Sequence, residues 1–429
     1  MHRSITLRRL GLALTTVATL AITAAAQAAD TIKVGILHSL SGTMAISETT
    51  LKDTLLMLID EQNKKGGLLG KKLEPVVVDP ASNWPLFAEK ARELISKDGV
   101  TAIFGCWTSV SRKSVLPVVE ELKVPLFYPV QYEGEESSHY VFYTGAAPNQ
   151  QAIPAVDYLM GQGVKRWVLE GTDYVYPRTT NKILEAYLKS KGFSAKDIIV
   201  NYTPFGFSDW QSEVARIKKF GSHGKKTAVV STINGDANVP FYKELGNQGI
   251  SAEDIPVIAF SVGEEELSGI DTKPLVGHLA AWNYFESVDA EANDEFIEKW
   301  HKFVKNDDRV TNDPMEAHYI GFNMWIKAVE KAGTTDPEKV VDAMIGVTVP
   351  NLSGGYAAMM PNHHITKPVL IGEIQDDGQF DIVYRTPEVV GDAWSDYLPG
   401  SRDLIADWRK PLSCGNYNVK TGKCSGQNY

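Results

Sequence analysis

Short apolar runs alternate with longer amphipathic segments along most of the chain. Runs such as VTAIFG and TAVVST consist mainly of β-branched, aromatic and small residues, which is typical of buried strands. Between such runs, apolar residues recur at helical spacing, as Leu51, Leu55, Leu58 and Ile59 do at i, i+4, i+7 and i+8. Strands that alternate with helices in this way predict parallel sheets covered by helices.

The pattern forms two series of strands and helices, followed by two long helical segments and a hairpin. The hairpin is indicated by Asp376-Asp377-Gly378, a turn signal between two alternating apolar runs. We therefore predict an α/β fold of two doubly wound, Rossmann-like lobes joined by a hinge of several strands. The predicted division is 30–147 and 282–368 for lobe 1, 148–281 and 369–386 for lobe 2, and 387–429 for a C-terminal tail.

The first 29 residues differ from the rest of the chain. Arg3, Arg8 and Arg9 precede an apolar, alanine-rich run that ends in Ala26-Gln27-Ala28, a cleavage pattern of two small residues around a third. This predicts a signal peptide over residues 1–29 and a mature protein in the periplasm, with Sec and twin-arginine export both left open. No other segment approaches the length of apolar sequence that spans a membrane, so we expect the mature protein not to be membrane-embedded.

Charge and cysteine content narrow the function further. The chain carries 43 Lys and Arg against 53 Asp and Glu, a net charge of −10 without basic runs, which argues against nucleic-acid binding. Cys414 and Cys424 flank a loop rich in Gly, Asn and Lys, and in an exported protein they predict a disulfide. Cys106 would then stay unpaired as a small buried packing residue.

Polar and aromatic residues follow one predicted strand after another. Ligands of open α/β sheets bind beyond the carboxyl ends of the strands, so these loops form the predicted site. The candidate ligand-binding residues are Trp107, Thr108, Ser109, Tyr128, Gln131, Tyr132, Asp173, Tyr174, Asp236, Ser261, Glu264 and Tyr284.

Each candidate also has a purely structural interpretation. Ser109 can cap the helix that follows it, the acidic residues can belong to turns, and the aromatic residues can belong to the core. Pro117 lies in the same helical segment as Ser109, and it should kink that helix or delay its start.

Motifs for catalysis are missing from the sequence. We find no Gly-x-Ser-x-Gly, no His-Glu-x-x-His, no phosphate-binding Gly-Lys-Ser/Thr loop and no Cys-x-x-Cys, so we expect neither enzyme activity nor a cofactor. His363 and His364 stand in a turn without Cys or carboxylates at ligand spacing, which favours a solvated pair over a metal site.

Several segments resemble those of the type I periplasmic binding proteins of the branched-chain amino acid and amide ABC transporter class. GILHSLSGTMAISE resembles the first strand and serine-rich loop of that class. GCWTSVSRKSVLPVVE, LFYPVQYEGEESSH, GTDYVYPRTTN and NGDANVPFYKEL are more similar to its branch that binds urea and short-chain amides. The resemblance covers nearly the whole mature chain.

The resemblance implies a protein that captures urea or a short-chain amide between two closing lobes, for nitrogen uptake. It would deliver the ligand to ABC permease subunits that work with a separate ATPase. By the same resemblance, Trp107 forms an aromatic wall and the Ser109 hydroxyl contacts the ligand. An amino-acid ligand is the alternative, since a serine-rich helix start can bind a carboxylate, and so is an amide-sensing receptor.

The hydrogen-bonding groups of urea determine which groups its binding site needs. It offers four N–H donors and one carbonyl acceptor without any charge, so a complementary site needs several hydrogen-bond acceptors. We expect Asp173, Asp236 and Glu264 to supply acceptors, and Thr108 and Ser109 to supply donors.

Overall fold

The computed structural model describes residues 31–398 and 401 in full, and the backbone of residues 404–407, 414–418 and 423–424. The predicted signal peptide and the side chains of Cys414 and Cys424 lie outside the described residues, so the signal and the disulfide stay predictions. In the part of the chain described here, no helix combines the length and the apolar content needed to cross a membrane.

The helices are α1 (Ala45–Lys64), α2 (Trp84–Glu93), α3 (Ser109–Leu122), α4 (Ala152–Gly161), α5 (Val175–Ser190), α6 (Gln211–Gly221), α7 (Asn238–Asn247), α8 (Glu264–Leu267), α9 (Glu291–Val304), α10 (Asp313–Ala332) and α11 (Pro337–Met344). The strands are β1 (Ile32–Leu37), β2 (Leu73–Val78), β3 (Ala102–Gly105), β4 (Leu126–Tyr128), β5 (Val141–Tyr143), β6 (Arg166–Thr172), β7 (Ile198–Thr203), β8 (Thr227–Thr232), β9 (Val257–Ala259), β10 (Leu279–Trp282), β11 (Thr348–Pro350), β12 (Tyr356–Ala358), β13 (Thr366–Lys367), β14 (Leu370–Ile374), β15 (Phe380–Arg385), β16 (Val389–Val390), β17 (Leu404–Asp407), β18 (Cys414–Asn418) and β19 (Lys423–Cys424).

The first sheet has five strands in the order β2-β1-β3-β4-β5, and all of its pairs are parallel. Its strands are fully buried at β3, β4 and β5, as expected of a sheet covered on both faces. Helices α1 and α10 pack against each other, and α10 also reaches β4. The strand order reverses between β1 and β3, which is a topological switch point, a place where open α/β sheets bind ligands.

The second sheet repeats the same winding. Strands β7-β6-β8-β9-β10 are parallel and reverse their order between β6 and β8. The antiparallel hairpin β14–β15 extends this sheet next to β10, and Gly378 in its turn has a φ of 83°. Both the predicted α/β class and the predicted hairpin are therefore confirmed.

Helix α3 corrects one expectation about Pro117. The helix begins at Ser109, well before Pro117, so its start is not delayed. Thr108 is its N-cap, and the Thr108 hydroxyl accepts a hydrogen bond from the Ser111 backbone N–H at 3.1 Å. A capped first turn is stabilised locally, whereas Pro117 removes a donor only further along the helix.

Three backbone segments pass between the two sheets, and the side chain of one residue links these three segments. Asn283, directly after β10, donates through Nδ2 to the carbonyl of Gln150 at 3.0 Å and to that of Pro368 at 2.7 Å. Gln150 lies in the segment between β5 and α4, and Pro368 lies in the segment between β13 and β14. A single buried carboxamide thus holds the three segments together where the chain passes from one sheet to the other.

Candidate functional site

The turn after β3 places Trp107 at the edge of the first sheet. Gly105 ends the strand so close to β1 that a Cβ atom there would lie 2.2 Å from the carbonyl oxygen of Leu37. Cys106 then adopts a φ of 66°, in the left-handed region that residues with a Cβ rarely occupy. The chain reverses sharply, and Tyr128 Oη fixes the turn by donating to the carbonyl of Trp107 at 2.5 Å.

Ser109 belongs to a buried charged network that we call the Arg112 cluster: Ser109, Arg112, Lys113, Glu133 and Glu136. Ser109 Oγ donates to Glu133 Oε2 at 2.5 Å and accepts from Arg112 Nη1 at 3.1 Å. Arg112 Nε donates to Glu136 Oε2 at 2.7 Å. Burial raises the pKa of Glu136, but Arg112 and Lys113 outweigh this effect and lower it to about 2. The expectation that Ser109 caps α3 is wrong, because Thr108 holds that position.

Tyrosine rings enclose the same cluster. The Arg112 guanidinium lies 4.6 Å from the ring centres of both Tyr128 and Tyr132, at cation–π distance. The hydroxyl of Tyr132 is 2.5 Å from His364 Nε2. Tyr132 is thereby fixed in the interior of the first sheet's half of the molecule.

A second group of polar residues joins the two sheets through Ser261. Gln131, after β4 of the first sheet, donates through Nε2 to Ser261 Oγ at 2.7 Å. Asn234, after β8 of the second sheet, donates through Nδ2 to the same oxygen at 3.1 Å. Ser261 follows β9, so loops of both sheets meet at this one hydroxyl.

Four buried polar atoms in the loops and helix start that follow β3, β4, β6 and β8 have no hydrogen-bond partner among the residues that the structure describes. They are Trp107 Nε1, Gln131 Oε1, Tyr176 Oη and Asn234 Oδ1. Burial raises the pKa of the Tyr176 hydroxyl, and the side chains of Ser261 and Gln131 lower it, so this hydroxyl lies close to both without a well-formed hydrogen bond to either. We call Trp107, Gln131, Tyr176, Asn234 and Ser261 the Ser261 group.

The composition of the Ser261 group is informative because buried polar atoms are nearly always hydrogen-bonded. Two of the unpartnered atoms are donors, the indole N–H and the phenol O–H, and two are carboxamide acceptors. All four belong to side chains without charge at neutral pH. Such a set can hold a small uncharged molecule that offers both donors and an acceptor.

Five of the twelve predicted residues lie in or beside the Ser261 group. Trp107, Gln131 and Ser261 belong to it. Tyr128 bonds the Trp107 carbonyl, and the Tyr174 ring lies 6.2 Å from the Tyr176 ring.

The other seven are held elsewhere. Thr108, Ser109 and Tyr132 have the structural partners described above. Asp173 is exposed and pairs with Arg178 at 2.5 Å, and the Asp236 side chain is also exposed. Glu264 accepts from the backbone N–H of Glu286 at 2.7 Å, and Tyr284 Oη has Asn293 and Thr311 as partners at 2.6 Å. The expected carboxylate acceptors thus lie outside the Ser261 group.

Asn234 and Tyr176 were not among the predicted residues, although both stand in loops that the sequence singled out. Asn234 lies two residues before Asp236 in the loop after β8, and Tyr176 lies two residues after Tyr174 at the start of α5. The sequence prediction assigned the acceptor role in this loop to the carboxylate of Asp236, and so it did not include Asn234. A carboxamide oxygen also accepts hydrogen bonds, without the cost of burying a charge, and that is the signal that could have found it.

The histidine pair also differs from its prediction as a solvated turn. His363 and His364 are both buried, with His363 stacked 4.5 Å from Phe142 and His364 stacked 4.6 Å from Tyr143. Burial lowers the pKa of each to about 4, so both are neutral near pH 7. Cys106 is buried as well, and burial raises the pKa of its thiol, which fits the expected packing role. Across the described ranges, no group of three His, Cys, Asp or Glu residues is arranged to hold a metal.

Comparison with known proteins connects this arrangement to a family. The model of the periplasmic binding protein domain family matches residues 32–400. A protein of Brucella melitensis named Leu/Ile/Val-binding protein homolog 6 is 25% identical over 383 residues, which cover 86% of this chain and 94% of that protein.

Solved structures share the fold. A solute-binding protein of an ABC transporter from Rhodopseudomonas palustris, in complex with p-hydroxybenzoic acid, superposes with a TM-score of 0.74 at 23% identity, covering 85% of this chain and 98% of that one. A leucine-binding protein from Thermotoga maritima gives a TM-score of 0.70 at 19% identity, covering 82% of this chain and 98% of that one.

Proposed function

Because this chain belongs to the periplasmic binding protein family, we propose that it captures urea or a short-chain amide between its two sheets for an ABC importer. The ligand would be released to permease subunits in the membrane, with a separate ATPase and without chemical change. The predicted signal peptide supports a periplasmic location.

The observation that carries this proposal is the set of unpartnered atoms in the Ser261 group. Urea is planar and uncharged, with one carbonyl oxygen and two NH2 groups. Gln131 Oε1 and Asn234 Oδ1 can accept from the NH2 groups, while Trp107 Nε1 and Tyr176 Oη can donate to the carbonyl oxygen. Trp107 also supplies a flat apolar face that excludes water and strengthens each hydrogen bond.

Charge balance near the site supports an uncharged ligand. Glu133, the carboxylate closest along the chain to Gln131, is neutralised by Arg112 at 3.3 Å and Lys113 at 3.9 Å. A zwitterionic amino acid brings a carboxylate and an ammonium, and each would need an opposite charge or several hydrogen bonds when buried. The Ser261 group offers only uncharged hydrogen-bonding atoms to such a carboxylate and ammonium.

An amino-acid ligand is the second candidate, and the relatives favour it. The Brucella protein is named for leucine, isoleucine and valine, and one structural neighbour is named for leucine. The other neighbour was solved with an aromatic acid. These names argue for carboxylate ligands, whereas the neutral Ser261 group argues for amides.

Calorimetric titration of the purified protein distinguishes the two candidates. The ligands are urea, formamide, acetamide, leucine and 4-hydroxybenzoate, each titrated under the same buffer conditions. We expect saturable heat with urea and the short amides, and unchanged ligand recovered afterwards. Tight binding of leucine or 4-hydroxybenzoate without a response to urea or the amides would reject the amide proposal.

A sensor of the same family would bind the same ligands, so its test is a different one. Neighbouring genes for a permease and an ATPase support the importer, whereas a neighbouring kinase or regulator gene supports the receptor. N-terminal sequencing of the protein from a periplasmic fraction checks the signal peptide, with cleavage expected after Ala28 or Ala29.

A further inference from the structure

We propose that Ser261 is a positioning residue that turns two carboxamide oxygens toward the ligand and thereby selects ligands with two N–H-bearing groups. The inference rests on the proposed function of the same site and specifies how it distinguishes urea from other small carbonyl compounds.

The argument starts from the hydrogen-bonding capacity of one hydroxyl. A serine oxygen accepts two hydrogen bonds and donates one. Both acceptor positions of Ser261 are taken, one by Gln131 Nε2 at 2.7 Å and the other by Asn234 Nδ2 at 3.1 Å. The Ser261 proton is therefore available to only one further acceptor.

This arrangement constrains the orientation of both carboxamides. The NH2 and C=O ends of a carboxamide are interchangeable in shape, so orientation is set by hydrogen-bond partners. If one carboxamide were reversed, its oxygen could receive the single Ser261 proton, but two reversed carboxamides could not both do so. At least one NH2 group must therefore donate to Ser261, and in the observed arrangement both NH2 groups do so.

Fixing the NH2 ends leaves the opposite ends unpaired. Gln131 Oε1 and Asn234 Oδ1 are buried and have no partner among the described residues. Each carbonyl oxygen needs an N–H or O–H donor, because burying an unpaired acceptor is unfavourable. A ligand with two separate NH2 groups can donate to the two oxygens from different nitrogens, whereas a ligand with one NH2 group has to serve both oxygens from a single nitrogen.

The two oxygens also come from different halves of the molecule. Gln131 follows a strand of the first sheet, and Asn234 and Ser261 follow strands of the second. The pair of acceptors forms only when the two sheets' loops meet at Ser261. A diamino ligand bridges the two halves, so recognition of its second NH2 group and closure of the site are the same event.

The test compares three small trigonal carbonyl compounds of similar size. Urea has two NH2 groups, acetamide has one and acetone has none. Titrations use the full mature chain in three forms: unchanged, Ser261→Ala, and Ser231→Ala as the matched control. Ser231 is a buried serine in β8, and its Oγ accepts from the Ile233 backbone N–H at 3.4 Å, its one hydrogen bond to the described residues.

In the unchanged protein we expect urea to bind at least tenfold more tightly than acetamide, with no heat from acetone. Ser261→Ala should lower urea affinity at least tenfold and reduce the preference for urea over acetamide to less than threefold. Ser231→Ala should retain the preference. Thermal unfolding of each variant verifies that the fold is intact.

The outcomes separate this inference from the proposed function. If the unchanged protein binds neither urea nor acetamide, both are rejected. If it binds them and Ser261→Ala keeps the same preference, only the role of Ser261 is rejected. Should Ser261→Ala fail to fold, Gln131→Leu replaces it: loss of one acceptor should weaken urea more than acetamide, and an equal loss for both overturns the inference.

Discussion

Two buried polar networks begin within a few residues of each other and differ in almost every physical respect. The Arg112 cluster is charged and lies within the half built on the first sheet, and each of its charged groups belongs to an ion pair. The Ser261 group is uncharged, joins loops of both sheets and contains four unpartnered buried atoms. Trp107 and Gln131 belong to the second network, while Ser109 and Glu133, each two residues further along, belong to the first.

The difference separates a complete buried network from an incomplete one within a few residues of sequence. A buried charged network is tolerated only when its partners are complete, and a complete network holds its surroundings in one geometry. Leaving a neutral polar atom without a hydrogen-bond partner costs less free energy than leaving a buried charge unpaired. A neutral group can therefore exist without its full set of partners and gain them from a ligand. The Arg112 cluster thus has the completed contacts of a structural network, and the Ser261 group has the unpartnered atoms that our proposal assigns to the ligand.

The largest expected effect comes from breaking the charged network. Arg112→Met keeps much of the side-chain volume between Tyr128 and Tyr132 but leaves Glu133 and Glu136 with reduced compensation. We expect the free energy of unfolding to fall by about 3–5 kcal/mol, as for other broken buried ion pairs. Chemical denaturation with urea is avoided because urea is a candidate ligand, so guanidinium unfolding is the measurement.

Arg92→Met is the matched control for that variant. Arg92 pairs with Glu121 at 2.6 Å, but both side chains are largely exposed, at 47% and 61%. The cost there should stay below about 1 kcal/mol, since exposed pairs contribute little. Equal effects at Arg92 and Arg112 would contradict the distinction between the two sites.

Acid should weaken the charged network next. The pKa of Glu136 is about 2 in the folded protein and near 4.5 without its partners, so its ionised form stabilises the fold above pH 4.5. This contribution is lost as the pH falls from 4.5 to 2 and amounts to about 3 kcal/mol. Unfolding of the unchanged protein and of Glu136→Gln across this range should therefore show a stability gap that narrows with acid. A gap that stays constant would mean that Glu136 does not carry this charge.

Asn234→Ala tests the neutral group and should affect binding more than folding. Loss of Oδ1 and Nδ2 should weaken urea binding at least tenfold, or about 1.4 kcal/mol. Asp236→Ala, two residues along in the same loop, should change affinity less than twofold because its side chain is exposed. Calorimetry on both variants decides whether the carboxamide or the carboxylate recognises the ligand.

Tyr176→Phe has the smallest expected effect. It removes one unpartnered hydroxyl and keeps the ring, so urea affinity should fall about threefold to tenfold, the range of a single hydrogen bond. Thermal stability should stay the same or rise slightly, since the variant no longer buries an unpaired O–H. A marked loss of stability would show that the hydroxyl has a structural partner.

Much of the fold could be predicted from the sequence because periodicity reports burial directly. The apolar runs at β3 and β8 indicated buried parallel strands, and the turn signal at Gly378 indicated the hairpin. The rule that ligands bind beyond strand ends also singled out the loops in which the Ser261 group lies.

The direction of each side chain within those loops could not be predicted. Tyr174 and Tyr176 stand two residues apart, and only the start of α5 decides which hydroxyl meets Ser261. Ser109 is at least as good a cap as Thr108 by residue type, but the extended backbone at Thr108, with a ψ of 146°, makes Thr108 the cap. His363 and His364 stand in a polar turn, but long-range stacking on β5 buries them. These outcomes depend on contacts between distant parts of the chain, which local patterns do not contain.

The way the chain passes between the two sheets has a consequence for folding. Phe104 of β3 is covered by Phe322 and Trp325 of α10, with ring centres 5.8 and 6.0 Å away. Those residues are synthesised only after the whole second series of strands. The first sheet therefore keeps an uncovered apolar face until most of the chain exists, and contacts this distant in sequence form slowly. The first half therefore cannot complete its core before α10 is synthesised, which leaves it exposed to aggregation until then.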